Sequence, residues 1–256
     1  MEDKKIIIGN WKMAPKTPRE AKAVFQNIRS TAGKLRNVQT VIAVPYVYLW
    51  ELKKLVTGHR CVVGAQDVSF EKDDPHTGEV SAEMLKNVGV EYVIIGHSER
   101  RAKGETNSEV ANKVLATVKK GLVAVVCVGE SERDDDGSYT TFVKTQLSES
   151  LEGIPKRYID KVIIAYEPVW AIGKKAKKEA TTEDVLEMSI FIRKVLADMF
   201  GERKGISIPV LYGGSVNQKN VFSYINGCEI DGLLVGRASL KPSAFATILE
   251  VANGNT

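Results

Sequence analysis

The sequence predicts an α/β protein with a (β/α)8 barrel architecture, in a single domain over residues 1–256. Two observations carry the prediction. Eight short runs of β-branched and apolar residues recur along the chain, and they are continuously apolar rather than alternating, as parallel strands covered on both faces are. The longer segments between them repeat apolar residues at helical spacing, and eight strand-then-helix units in 256 residues is the arithmetic of such a barrel. An open doubly wound sheet is the structural alternative. That fold usually places Gly-x-Gly-x-x-Gly after its first strand, whereas Gly9-Asn10-Trp11-Lys12 stands there.

In chain order, the strands fall at residues 6–8, 41–44, 61–65, 92–95, 123–128, 162–166, 208–212 and 232–235. Residues 109–120 and 183–200 read most clearly as helices; in the second, Val185, Met188, Ile192, Val195 and Met199 recur at spacings of three and four. Gly89 and Gly121 stand where helices stop, and Thr181 or Thr182 where one starts. No linker or low-complexity tract divides the chain, and the units are too unequal in length to show a repeat.

Composition narrows the function classes. With 43% hydrophobic and 27% charged residues, the chain can bury a core without disulfides or metal. No apolar run approaches the roughly 18 residues of a membrane span, and the residues after Met1 do not build a signal-peptide core. The expected location is the cytoplasm. Cys61, Cys127 and Cys228 are far apart and read as reduced thiols. His59, His76 and His97 lack zinc-site spacing, so no zinc site is expected. A net charge of +4, from 36 basic and 32 acidic residues, is too small to argue for nucleic acid but suits an anionic small molecule.

Barrel chemistry sits where the chain leaves the C-terminal ends of the strands. The first strand exits into Asn10 and Lys12, the fourth into His97 and Glu99, the sixth into Glu167, and the last two into Gly213-Gly214-Ser215 and Gly236-Arg237. Singly, each has an ordinary structural reading: Lys12 as a surface lysine, His97 as a hydrogen-bonded histidine, the glycines as sites of positive φ. Glu167 follows an apolar strand, where a carboxylate is costly unless paired or used. Glycine turns after both of the last two strands fit a phosphate held by backbone N–H groups.

Five blocks resemble those of the triosephosphate isomerase family: Gly9-Asn10-Trp11-Lys12-Met13, Gly96-His97-Ser98-Glu99-Arg100-Arg101, Cys127-Val128-Gly129-Glu130, Ala165-Tyr166-Glu167-Pro168-Val169-Trp170-Ala171-Ile172-Gly173, and Leu211-Tyr212-Gly213-Gly214-Ser215-Val216. The resemblance runs in order along the whole chain. It implies interconversion of dihydroxyacetone phosphate and D-glyceraldehyde 3-phosphate through an enediolate, in glycolysis and gluconeogenesis, without cofactor. It also implies roles: Glu167 as the base, His97 as a neutral imidazole donating to the enediolate oxygens, Lys12 as positive charge and Asn10 as a side-chain amide beside the reacting oxygens. Phosphate would be held by backbone N–H groups of Gly173, Ser215, Gly236 and Arg237, with Gly173 on a lid that closes over the site. Glu99 and Cys127 match family positions explained by a buried ion pair with Lys12 and a packed thiol.

Three features depart from the family pattern. The lid continues as Lys174-Lys175-Ala176-Lys177-Lys178-Glu179 and is about two residues longer than usual; Arg237 replaces a usual glycine; and only Ala102 and Lys103 separate Arg101 from Gly104. The family is typically a homodimer in which the loop after the third strand, here residues 67–79 with Thr77 and Gly78 at its tip, enters the neighbouring site. Two other functions fit parts of the pattern: a Schiff-base aldolase using Lys12, and a sugar-phosphate binding protein without catalysis, which would not require Glu167, His97 and Lys12 together.

Overall fold

The computed structural model describes residues 4–70, 76–134, 136–173 and 178–254. Eight parallel strands close into a barrel in sequence order: β1 (Lys5–Asn10), β2 (Val38–Val44), β3 (Cys61–Ala65), β4 (Tyr92–Ile95), β5 (Val123–Val128), β6 (Val162–Tyr166), β7 (Val210–Tyr212) and β8 (Gly232–Val235). The closing pair is β1 with β8, where Ile6 faces Gly232 and Gly9 faces Val235. The expected strands are all present. β1 and β2 run longer than their most apolar residues, and β7 starts at Val210 rather than 208, because Pro209 has no N–H to give a ladder.

Helices cover the outside: α1 (Pro18–Ala32), α2 (Tyr46–Lys53), α3 (Ala82–Val88), α4 (Ser98–Arg101), α5 (Asn107–Lys119), α6 (Ser138–Ser150), α7 (Thr182–Phe200), α8 (Glu202–Ile206), α9 (Val221–Gly227) and α10 (Pro242–Ala252). Their ends follow the expected chemistry. Thr106 with Glu109, and Thr181 with Asp184, form reciprocal capping boxes at the starts of α5 and α7. Gly89 ends α3 at φ 88°, a left-handed conformation that suits glycine. Beyond α4, Ala102 and Lys103 lead to Gly104 at φ 101°, so the short turn closes through glycine.

The period of two along each strand divides the apolar residues into two cores. Ile8, Val41, Ala43, Val62, Ile94, Val125, Cys127, Ile163, Ala165, Leu211 and Leu234 fill the barrel. Ile7, Val63, Val93, Ile95, Val126 and Ile164 pack outward against helices, with Phe25 of α1 and Phe245 of α10 among the largest contributors. This alternation builds the site. One step beyond the inward residues Ile8, Ala165, Cys127, Leu211 and Leu234 come Asn10, Glu167, Gly129, Gly213 and Gly236. The top layer thus holds two functional side chains among three glycines.

Two of those glycines are required by space. A Cβ on Gly129 would lie 1.9 Å from the carbonyl oxygen of Glu167, and one on Gly213 would lie 2.9 Å from its Cγ. All three cysteines are free thiols and buried.

Candidate active site

A cavity of about 500 Å3 opens at this end of the barrel, lined by Asn10, Lys12, His97, Glu167, Gly173, Ser215, Gly236 and Arg237. These are all the residues expected to form the site, brought together from sequence positions as far apart as 10 and 237. Glu179 lines the same space.

Glu167 leaves β6 buried, in keeping with a carboxylate that is used or paired. Its Oε2 accepts the Ser98 N–H at 2.9 Å, and its Oε1 lies 3.1 Å from Nε2 of His97. His97 in turn caps α4: its Nδ1 accepts the Glu99 N–H at 3.1 Å. A ring nitrogen that accepts carries no proton, which leaves Nε2 as the donor of a neutral imidazole facing Glu167. The positive φ of Gly96, 69°, breaks the strand alternation just before His97 and turns its ring toward the cavity. Beneath Glu167, burial and the nearby carboxylate hold the Cys127 thiol well above its ordinary range, so it is a packed thiol rather than a nucleophile.

Lys12 adopts φ 52°, rare for a residue with a side chain. Three bonds hold it there. Its N–H donates to Asn10 Oδ1 at 3.0 Å, its carbonyl accepts from Gln66 Nε2 at 2.9 Å, and its Nζ meets Glu99 Oε1 at 2.6 Å. The Lys12–Glu99 pair is as expected, but it is not buried: the side chains are 32% and 61% exposed. Partial burial alone would raise the Glu99 carboxyl; the hydrogen bond and charge of Lys12 overcome this and leave it below the usual carboxylate range.

The opposite wall is made of backbone. None of the N–H groups of Gly173, Ser215, Gly236 and Arg237 has an acceptor among the described residues. Gly236 lies close to Lys12, whose Cε is 3.9 Å from where a Gly236 Cβ would stand. Arg237 opens a short 3-10 turn over Arg237–Leu240, and its exposed side chain has no ion-pair partner among the described residues. Of the lysine-rich segment after Gly173, residues 174–177 lie outside the described residues, as do residues 71–75 of the loop after β3. Lys178 sits 5.4 Å from the centre of the Trp170 ring.

Besides Glu179, sequence reasoning misses a second acidic group. Glu130, directly after β5, is buried and accepts from Tyr166 Oη at 2.8 Å and Trp170 Nε1 at 2.7 Å. It anchors the segment that carries Gly173. The available signal is the one that marks Glu167: an acidic residue shortly after an apolar strand. Among the described residues no group of three or more His, Cys, Asp or Glu could hold a metal ion, and no helix is long and apolar enough to cross a membrane.

Comparison with known proteins identifies the family. The family model for triosephosphate isomerase matches residues 5–252. The triosephosphate isomerase of Alkaliphilus oremlandii is 40% identical over 248 residues, covering 96% of this chain and 98% of that protein. That of Thermoanaerobacter sp. is 42% identical over 246 residues, covering 95% and 98%. The crystal structure of triosephosphate isomerase from Bartonella henselae superimposes with a TM-score of 0.85 at 36% identity, covering 97% of this chain and 98% of that one. The chain belongs to the triosephosphate isomerase family, and it interconverts dihydroxyacetone phosphate and D-glyceraldehyde 3-phosphate.

Proposed function

We propose that Glu167, His97 and Lys12 carry the isomerisation, that Asn10 and Lys12 hold the substrate's oxygens, and that the N–H groups of Gly173, Ser215, Gly236 and Arg237 hold its phosphate, all within a single catalytic domain. The observation that supports this most is the Glu167 carboxylate 3.1 Å from His97 Nε2 in a cavity whose far wall is free N–H groups. Proton transfer between adjacent carbons needs a base on one face and a donor to the two oxygens in turn.

In the reaction, the Glu167 carboxylate exchanges its Ser98 N–H contact for the substrate, removes a proton from one carbon and returns it to the next. Negative charge develops on the oxygens, where the Nε2–H of a neutral imidazole and the Lys12 ammonium meet it in fixed positions. Closure over the phosphate excludes water and protects the enediolate from losing phosphate. A coupled isomerase assay on the purified protein and on Glu167→Gln tests the assignment. A variant retaining more than a tenth of the activity would remove Glu167 from the role.

The working form we propose is a homodimer in the cytoplasm. Met13 is 96% exposed and Val47, Trp50 and Met84 are each more than half exposed, an apolar set that a monomer would leave in water. A second cavity of about 230 Å3, lined by Met13, Tyr46, Gln66, Asp67, Glu99 and Arg100, shares Asn10, Lys12 and His97 with the first. The exposed turn at Thr77-Gly78, with Gly78 at φ 91°, would fill it from a second copy. Such a partner would cover the Lys12–Glu99 pair. Sedimentation at twice 28.1 kDa, lost on Met13→Arg, is the expected result; monomer mass at micromolar concentration would refute it. Three buried unpaired thiols accord with a reducing compartment.

A further inference from the structure

Ser215 is held on every polar group but one. Its Oγ donates to the Ala171 carbonyl at 3.1 Å, and its carbonyl accepts Asn220 Nδ2 at 2.8 Å. Only its N–H has no acceptor among the described residues. The Asn220 amide does more than this. Its Oδ1 accepts the Asn217 N–H at 2.8 Å, while Asn217 Oδ1 accepts the Lys219 N–H at 2.8 Å, so the turn from Ser215 to Asn220 is cross-braced by two asparagines. Asn220 is also the residue just before α9, which fixes the brace to a helix. The second proton of Nδ2 reaches Glu179 Oε2 at 3.1 Å. Glu179, which lines the cavity just before α7, places a carboxylate on the wall that must receive an anion.

We propose that Asn220 is a positioning residue for phosphate binding: it fixes the Ser215 turn with its N–H free and holds the Glu179 carboxylate in place at the rim. The proposal rests on the assignment of this wall to the phosphate. It requires an amide at 220, because the side chain must accept from one partner and donate to two. Aspartate has nearly the same shape but can only accept, so it would set a carboxylate oxygen against the Ser215 carbonyl and the Glu179 carboxylate. The Glu179 arm is solvent-exposed and contributes the smaller share.

The test measures KM, kcat, and the affinities of inorganic phosphate and 2-phosphoglycolate for Asn220→Asp, Asn220→Ala and Glu179→Gln. Asn220→Asp is expected to raise KM and both dissociation constants about tenfold, Asn220→Ala about threefold, with kcat changed less than KM in each. Adding Glu179→Gln to Asn220→Asp should recover part of the loss, a non-additivity expected only if the two side chains act together. If Asn220→Asp does not fold, Asn220→Ala and Glu179→Gln, alone and combined, carry the same comparison. A brace for stability alone would lower the melting temperature and leave KM and phosphate affinity within twofold, which overturns the proposal. Inorganic phosphate separates the two levels of inference. If it competes with substrate in the unaltered protein and Asn220→Asp leaves its affinity unchanged, only the role of Asn220 falls; if it does not compete at all, the assignment of the wall falls too.

Discussion

On one side of the rim, Asn10, Lys12, His97 and Glu167 present side chains to the cavity; on the other, Gly173, Ser215, Gly236 and Arg237 present backbone N–H groups. The first set is tied down by its own hydrogen bonds: Glu167 to Ser98, His97 to Glu99, Lys12 to Asn10, Gln66 and Glu99. The second is held through the backbone of turns whose polar groups are used elsewhere. The difference follows from the tasks. Moving a proton needs groups that can gain or lose one, which these side chains supply. Holding a phosphate that does not react needs donors at fixed distances, which backbone supplies with no side-chain entropy to lose. Substitutions of the proton-handling groups Glu167 and His97 should therefore act mainly on kcat, those on the second side on KM, and Lys12, which supplies fixed charge and moves no proton, on binding as well.

The largest effect is expected from Glu167→Asp, which withdraws the carboxylate by roughly 1 Å and should lower kcat at least about 100-fold with a smaller change in KM. Steady-state kinetics decide it, and a loss under tenfold would break the assignment of chemistry to this side. Lys12→Met comes next. It removes positive charge that serves ground and transition states alike, so substrate and 2-phosphoglycolate should weaken together, by about tenfold or more. Unchanged inhibitor affinity would count against that role.

Gly213→Ala sharpens the comparison, because this glycine sits in a turn on the phosphate side yet touches the base. Its new methyl would lie 2.9 Å from Glu167 Cγ, so the cost should fall on kcat, about tenfold, with KM little changed. A raised KM at constant kcat would mean that the strain is absorbed by the turn instead. The smallest effect concerns the lysine-rich stretch that follows Gly173 in sequence. Changing Lys174, Lys175, Lys177 and Lys178 to Gln should lower kcat/KM a few-fold at low salt and flatten its salt dependence, while kcat stays nearly constant, if they draw in a dianion over a Debye length of about 10 Å at 0.1 M. A fall in kcat with release of methylglyoxal would instead tie them to closure. No change beyond about twofold would make them a solvated surface.

Much of the barrel and its rim is legible in the sequence. Strands such as Val123–Val128 and Val162–Tyr166 stand out because burial on both faces demands continuous apolar residues. Glu167 is conspicuous because a carboxylate at the end of such a run is costly unless paired or used, whereas His97 stands out only through its block's resemblance to the family. What pattern does not supply is contact between distant residues. The Glu130 link to Trp170 and the Asn220 brace on Ser215 join turns whose residues look like ordinary loop residues. The exposure of the Lys12–Glu99 pair runs against the expectation of a buried one, since proximity to a buried site does not by itself place both partners inside it. Whether a glycine is there for φ or for space is equally invisible in sequence: Gly96 needs its positive φ, while Gly129 and Gly213 need the room their missing Cβ leaves.

The three buried thiols turn the chain into its own unfolding clock. Burial pushes Cys61 up to about 12 and Cys228 up to about 11, and Cys127 lies deeper still beside a carboxylate. At neutral pH the folded protein thus offers almost no thiolate to an alkylating reagent, whereas an unfolded chain offers three ordinary ones. Cys61 is in the third strand, Cys127 in the fifth, and Cys228 between α9 and the last strand. Labelling with excess iodoacetamide and reading modification by peptide would report, site by site, whether the barrel opens as one unit or releases one arc of staves before the others.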